Sequence, residues 1–471
     1  MNRLLALLPE LVLTVTGLWV FGTLMARERR VERARRAALI GGLALVAACL
    51  VSMDRSLDVF WLTYRVDAFS QLIKLAVSLA FVLAVLIAGQ GAGQRSDARG
   101  ELFFFLLTST AGLVVMASAV ELVALYLSLE IASFSLFVLV PLREEFPHGR
   151  EAGLKFLVVG LSASVFTLLG LGLLAGLTGT THITAIALLM PALASQPAAL
   201  FALSLFLAGF FFKLALVPFH FWAPDVYEGA SHGVAAFVAT ASKVAAVALL
   251  ARLLAVAGVA GQSLAQVVAV AAALSMTLGN LVAIVQRDVK RMLAWSAVAQ
   301  AGYIAVGFVA FTRDGFAAAL FYGVLYVLMN AAAFLVVARI APSANVSLDD
   351  LRGLHRRSPL LAATLLLALF ALAGVPPTSG FVGKWFLFRA AMGQGWWWLV
   401  ILGAVNSTVS IYYYLVVVKH AYLLPAAEER PVVLTRTDRF LCYALSGATL
   451  LLGFWPTPLY EAAARAAQLL P

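Results

Sequence analysis

Apolar residues in this chain run together instead of alternating. Read between charged, Gly-rich and Pro-rich breaks, they give runs near 4–25, 37–53, 66–89, 101–118, 121–141, 152–177, 199–222, 232–257, 264–285, 289–311, 315–339, 359–393, 396–420 and 438–459. Most approach the roughly 20 residues a helix needs to cross a bilayer. The pattern predicts an all-α, polytopic membrane protein of about 14 transmembrane helices. It forms a single membrane domain over residues 1–471, with no stretch left for a sizeable soluble domain.

Charge tests that count, because loops on the cytoplasmic side collect Lys and Arg. One set of alternate loops, from Arg27 through Arg95, Arg143, Arg150, Arg287, Lys290, Arg291, Arg339 and Arg356 to Arg439, holds 21 basic residues. The opposite side, termini included, holds 7: Arg3, Arg55, Arg65, Arg252, Arg313, Arg389 and Arg465. A missed or invented helix would swap the sides downstream and spoil the contrast, so an even count with both termini on the outer side is expected. The run Leu4 to Met25 reads as a first spanning helix and not as a secretory signal, since Arg-rich sequence follows it where a cleavage site would stand.

Composition agrees. The chain is 63% hydrophobic and 12% charged, with a mean hydropathy of +0.98. The formal charge of +10 reflects loop topology and does not point to nucleic acid. Two cysteines, Cys49 and Cys442, cannot supply the four thiolates of an iron–sulfur cluster, so no redox centre of its own is expected.

The remaining basic residues are Lys74, Lys155, Lys213, Lys243 and Lys384, all lysines inside apolar runs. Arg stays charged at physiological pH, whereas a desolvated Lys can exchange a proton. An ionisable group at membrane depth is costly unless hydrated or paired, so each is a functional candidate. Glu130, in Tyr126-Leu-Ser-Leu-Glu130, is the acidic residue farthest from a helix end. Lys243 is about eleven residues into its run, roughly 16 Å deep at about 1.5 Å per residue. Lys155 lies four residues after Glu151, where a surface i,i+4 pair is the alternative.

Lys213 precedes Pro218, and Gly374-Val-Pro376-Pro377 interrupts the run just before Lys384. Proline removes a helix hydrogen bond and frees carbonyls. Irregular backbone at membrane depth must be covered by protein or line a cavity. The two segments share Gly-Phe-x-x-Lys, at Gly209 to Lys213 and Gly380 to Lys384, and paired broken helices point to inverted repeats with an ion site at the break. His220 could relay protons, though a packing histidine is the default reading. The spacing of the six histidines suggests no metal set, and no nucleotide-binding or nucleophile-elbow motif occurs.

Phe212-Lys213-Leu-Ala-Leu-Val-Pro218-Phe-His220-Phe-Trp222-Ala-Pro224-Asp225-Val-Tyr227-Glu228-Gly229, then Ala239-Thr-Ala-Ser242-Lys243, closely resembles the antiporter-like N subunits of bacterial complex I, the proton-pumping NADH:quinone oxidoreductase. Asp288-Val-Lys290-Arg291 through Gln300-Ala-Gly302-Tyr303 and Gly374-Val-Pro376-Pro377 through Lys384 extend the likeness over essentially the whole chain. The Pro-Asp-Val-Tyr-Glu-Gly run favours N over the related L and M subunits, as does Lys384.

The resemblance implies two inverted five-helix repeats, residues 101–257 and 264–420, each with a broken helix. It also implies a charge pair of Glu130 and Lys213, a central relay at Lys243, a terminal proton-transfer site at Lys384, and a part for Lys155. NADH, FMN, iron–sulfur clusters and quinone would belong to partner subunits of a multi-subunit respiratory complex in the bacterial inner membrane, none being bound by this chain. Rival readings are a subunit of a multi-subunit cation/proton antiporter, a subunit of a membrane-bound hydrogenase or related dehydrogenase, and a structural membrane scaffold. One departure is visible: Ser231-His232-Gly233 replaces the usual Pro-containing start of the next helix, and His232 could add a titratable group.

Overall fold

The computed structural model describes the chain apart from residues 1, 26–29, 90–92, 96–97, 144–146, 194–195, 257–260, 427–429 and 471. Arg27 and Arg29 of the basic set lie outside the described residues. In chain order the helices are α1 (Asn2–Ala6), α2 (Leu8–Leu24), α3 (Arg30–Val51), α4 (Ala68–Ala88), α5 (Glu101–Ser118), α6 (Leu122–Leu139) and α7 (Pro147–Thr178). They continue with α8 (Ile183–Leu193), α9 (Pro197–Leu214), α10 (Trp222–Gly229), α11 (His232–Phe237), α12 (Lys243–Val256), α13 (Gly261–Ile284) and α14 (Val289–Val309). The last seven are α15 (Arg313–Ile340), α16 (Leu354–Arg357), α17 (Pro359–Ala373), α18 (Ser379–Met392), α19 (Trp397–Tyr422), α20 (Arg436–Phe454) and α21 (Thr457–Gln468).

Among the described residues, 11 helices are long and apolar enough to cross a membrane, with a twelfth if α20 and α21, bent by 77°, count as one span. Helices α2 and α17 are apolar but shorter. The protein is therefore all-α and multi-pass. The sole strands among the described residues, β1 (Leu57–Val59) and β2 (Tyr64–Val66), pair as a short antiparallel hairpin between α3 and α4. Starts follow side-chain caps: Asp67 and Ser70 form a reciprocal capping box on α4, and Asp288 accepts from Arg291 N–H on α14.

The two runs expected to be interrupted are broken. The run 199–222 ends as helix at Leu214, and 359–393 is interrupted after Ala373. Elsewhere the apolar reading misses α8 and α21 and the turn Val238–Ser242, a π-helical turn joining α11 to α12 within one span.

Contacts between loops fall into two groups. At one end Arg143 donates to the carbonyls of Glu228 and Ser343 at 2.6 and 3.1 Å, and Gly353 N–H donates to His420 O. At the other, Arg252 donates to Ala119 O at 2.9 Å and faces Asp67 at 3.8 Å, while Arg313 donates to Ala467 O and Leu470 O. Apolar residues such as Leu18, Phe201 and Phe440 project outward from the bundle, as a lipid-facing surface requires.

Candidate proton-transfer site

Both broken helices end in the same way. In α9, Ala215 adopts the left-handed conformation (φ +61°), Ala215 N–H donates to Phe212 O, and Leu216 N–H to Phe211 O. In α17, Gly374 is left-handed (φ +84°), Gly374 N–H donates to Ala371 O, and Val375 N–H to Phe370 O. These are two copies of one helix-terminating motif, and each leaves carbonyls of the final turn without a helical partner.

A buried ammonium takes the matching carbonyl in each copy. Lys243 Nζ donates to Leu214 O at 3.0 Å, and Lys384 Nζ to Ala373 O at 2.9 Å. Each acceptor is the residue immediately before the left-handed one. Lys243 also donates to Ala297 O at 3.1 Å, directly after the π turn, a local distortion often found at functional positions. Lys384 also reaches Ser407 Oγ at 3.3 Å and stands 4.0 Å over the Tyr303 ring, a cation–π geometry.

This geometry revises the pairing suggested by Gly-Phe-x-x-Lys. Lys213 comes two residues before the left-handed Ala215, whereas Lys384 comes ten after Gly374. By position at the break the counterpart of Lys384 is Lys243. The two Gly residues of the motif also have different duties. A Cβ on Gly380 would stand 1.7 Å from Ala371 O, so the start of α18 rests directly on the end of α17.

Lys213 points the other way, toward α6. Its Nζ donates to Ser133 Oγ at 2.9 Å, and Glu130, one turn earlier on α6, accepts from Ser164 Oγ of α7 at 2.5 Å. Glu130 and Lys213 make no direct ion pair among the described residues, yet their charges interact. Both are buried, at 9% and 2% exposure, so the low local dielectric keeps that attraction effective across the two serines.

Between the second and third lysines runs a network that the sequence reading left unassigned. Ser296, beside Ala297, bonds Tyr414 Oη at 2.5 Å, and Gln300 lies one turn further along the same helix. Gln300 donates to Leu372 O at 2.7 Å and accepts from Tyr322 Oη at 2.6 Å. Asn280, Asn406 and Tyr413 complete it around Tyr303. Single Tyr, Asn and Gln residues in apolar runs read as packing; their one available signal was their number at membrane depth, where an unpaired polar group is costly.

Lys155 lies elsewhere. It is 48% exposed and pairs at 2.8 Å with both Glu151 and Asp225. Arg291 bridges Asp225 and Glu228 at 2.8 and 2.7 Å. With His148 these groups line a recess of about 360 Å³ at the basic-rich end. Asp225, between spans, is pushed up by burial, but hydrogen bonds and charge from Lys155 and Arg291 hold its carboxyl below the usual Asp value. His220 is buried between Phe221 and Trp295, and its ring nitrogens meet no side-chain partner among the described residues. His232 is buried at its helix start, its Nε2 within 2.7 Å of Ala341 O. Lys290, assigned to a loop by sequence, is buried and donates to Ala230 O at 2.7 Å.

Residues 119–410 match the family model described as NADH:quinone oxidoreductase/Mrp antiporter, TM. The chain belongs to this family. Within the NADH:quinone oxidoreductase/Mrp antiporter family it is 41% identical to NADH-quinone oxidoreductase subunit N 2 of Syntrophobacter fumaroxidans, over 98% of each chain. It is 42% identical to the protein of the same name from Solidesulfovibrio magneticus, again over 98% of each. Among solved structures, a chain of respiratory complex I from Thermus thermophilus with bound aureothin superposes with a TM-score of 0.85 at 32% identity. That match covers 97% of this chain and 99% of the other. Both broken helices fall inside the family match.

Proposed function

We propose that this chain is the N-type, proton-translocating membrane-arm subunit of an NADH:quinone oxidoreductase, coupling electron transfer in partner subunits to proton movement through Glu130, Lys213, Lys243 and Lys384. The observation that carries this reading is the buried polar line spanning both helix breaks, in a chain so similar to N subunits over its full length. NADH, flavin, iron–sulfur clusters and quinone belong to the partner subunits. Besides those, the lipid bilayer is the chain's other partner.

Fourteen spans follow if α2, the pair α17 and α18, and α20 join the eleven long ones. Residues 101–257 and 264–420 then form two five-helix repeats of opposite orientation. In support, the fourth helix of each is the broken one and both breaks share one hydrogen-bonding pattern. The basic-rich end faces the cytoplasm of the bacterial inner membrane, with both termini opposite.

In operation, the carboxylate of Glu130 stabilises the Lys213 ammonium across Ser133 and Ser164. A shift in neighbouring subunits that draws the carboxylate away removes that attraction, and the proton passes on. Lys243, held on the carbonyl next to Lys213, receives it. Ser296, Tyr414, Gln300 and Tyr322 carry exchangeable protons toward Lys384. The recess around Asp225, Lys155 and Arg291 is the mouth that supplies the line, and His220 is a side relay at the first break.

Proton pumping by assembled complex in sealed vesicles tests the assignment. Lys213→Ala or Glu130→Ala is expected to lower NADH-driven pumping at least tenfold, about 1.4 kcal/mol in barrier terms. Wild-type pumping by either variant would overturn it. Sodium-dependent proton flux without NADH would transfer the same residues to a cation/proton antiporter.

A further inference from the structure

A second buried group of titratable side chains lies among the helices and the hairpin that precede the proposed repeats, and the proton line does not use it. Lys74 of α4 is fully buried, and its Nζ donates to Glu10 Oε1, in the first turn of α2, at 2.5 Å. The Tyr64 hydroxyl donates to the same oxygen at 2.5 Å, and Lys74 Nζ stands 5.3 Å from the Tyr64 ring centre. Other titratable groups facing the trio are Cys49 of α3, whose Sγ is 3.7 Å from Ser78 Oγ, and Asp67 at the start of α4. Arg252 of α12 faces Asp67 in turn.

A link that only fastened α2 to α4 would use up its acceptors. Here Glu10 Oε2 and Gln71 Oε1 are both buried without a hydrogen-bond partner. Buried polar atoms left in that way mark a place for ordered water, which needs several polar groups around it. The Glu10 side chain is also 20% exposed, so the trio opens to the surface. That opening is at the end carrying Tyr64 and Asp67, opposite the ion-pair mouth. On its inner side α4 packs against the π turn Val238–Ser242 and α12, the segment bearing Lys243.

We propose that Glu10, Tyr64 and Lys74, with bound water, form a second proton-binding site, a branch by which the line at Lys243 exchanges protons with that end of the bundle. A proton from the line converts the Lys74 amine to ammonium. On release it passes to water held by Glu10 and leaves to solvent, returning the amine. The branch role rests on the pumping assignment above.

Lys74→Arg in the assembled complex tests it, because Arg keeps the charge and can pair with Glu10 but does not release its proton. Normal assembly is expected, with protons pumped per NADH lowered about twofold and restored by no change of pH between about 6 and 9. An unchanged ratio overturns the proposal. Should the Arg variant fail to assemble, the double variant Glu10→Gln, Lys74→Gln keeps hydrogen bonding without charge; a lowered ratio supports the branch and a normal one overturns it. Failure of both to assemble assigns the trio a fastening role and likewise overturns it. Lys213→Ala in the same vesicles separates the two readings. If it pumps normally the pumping assignment fails, whereas impaired Lys213→Ala beside normal Lys74→Arg removes the branch alone.

Discussion

The two broken helices make the same turn from different residues. At the first break the left-handed position is Ala215; at the second it is Gly374. A non-glycine residue there costs roughly 1–2 kcal/mol because its Cβ crowds the following carbonyl, whereas glycine has no such cost. The ammonium that caps each break also comes from a different source. Lys243 reaches across from the following span, while Lys384 sits on the second half of its own broken helix. The first break is thus held by contacts between elements, and the second is closed within one element by a glycine and a lysine packed together. The hydrogen bond of Lys243 to the first break is thereby tied to how two spans sit against each other.

Gly374→Ala gives the largest expected effect. The new Cβ would stand 3.0 Å from Lys384 Cδ, in a backbone conformation alanine resists. A stability loss of about 2 kcal/mol, read as a lower melting temperature of the purified complex, should accompany loss of most pumping. Normal pumping would show that the break tolerates displacement of Lys384. Next, Ser133→Ala should lower pumping several-fold with assembly intact, since it leaves the buried Lys213 ammonium without its hydrogen-bond acceptor, a loss of about 1.5–3 kcal/mol. Pumping measured beside Ser164→Ala would show whether both serines carry the coupling to Glu130.

Smaller and opposite in sign, Ala215→Gly should raise melting stability by about 0.5 kcal/mol, strain relief being partly offset by the freer unfolded chain. A decrease would mean that the first break is not strained. Smallest is a pH effect at the mouth. Asp225 is held below its unfolded value, so its contribution is complete above the ordinary Asp value of about 3.9 and is lost as pH falls through the lower folded value. Arg291→Gln should flatten that acid limb in a thermal melt across acid pH; an identical limb would assign the acid sensitivity to another carboxylate.

Much of this was legible in the chain. Run lengths, alternating loop charge and prolines beside lysines located the membrane elements and all four groups of the proposed line, because hydrophobic thickness and the cost of buried charge act on local sequence. Lys155 illustrates the limit. It lies in an apolar run, yet a short reach to Asp225 brings it to the surface mouth. Lys290 errs in the opposite direction, a loop residue by pattern that tertiary packing buries.

The Gly-Phe-x-x-Lys match shows why sequence stops there. Two identical spacings place their lysines on opposite sides of a break, and only the fold reveals that Lys243, with no such motif, meets its break through the same carbonyl position as Lys384. By itself the sequence determined that long apolar segments enter the membrane and that Glu130, Lys213, Lys243 and Lys384 are buried with them, since burial follows from the transfer of side chains between water and hydrocarbon. Which carbonyl each ammonium meets, which serines stand between Glu130 and Lys213, and which tyrosines join the lysines were decided by tertiary structure alone, because hydrogen bonds depend on the approach of atoms far apart in the chain.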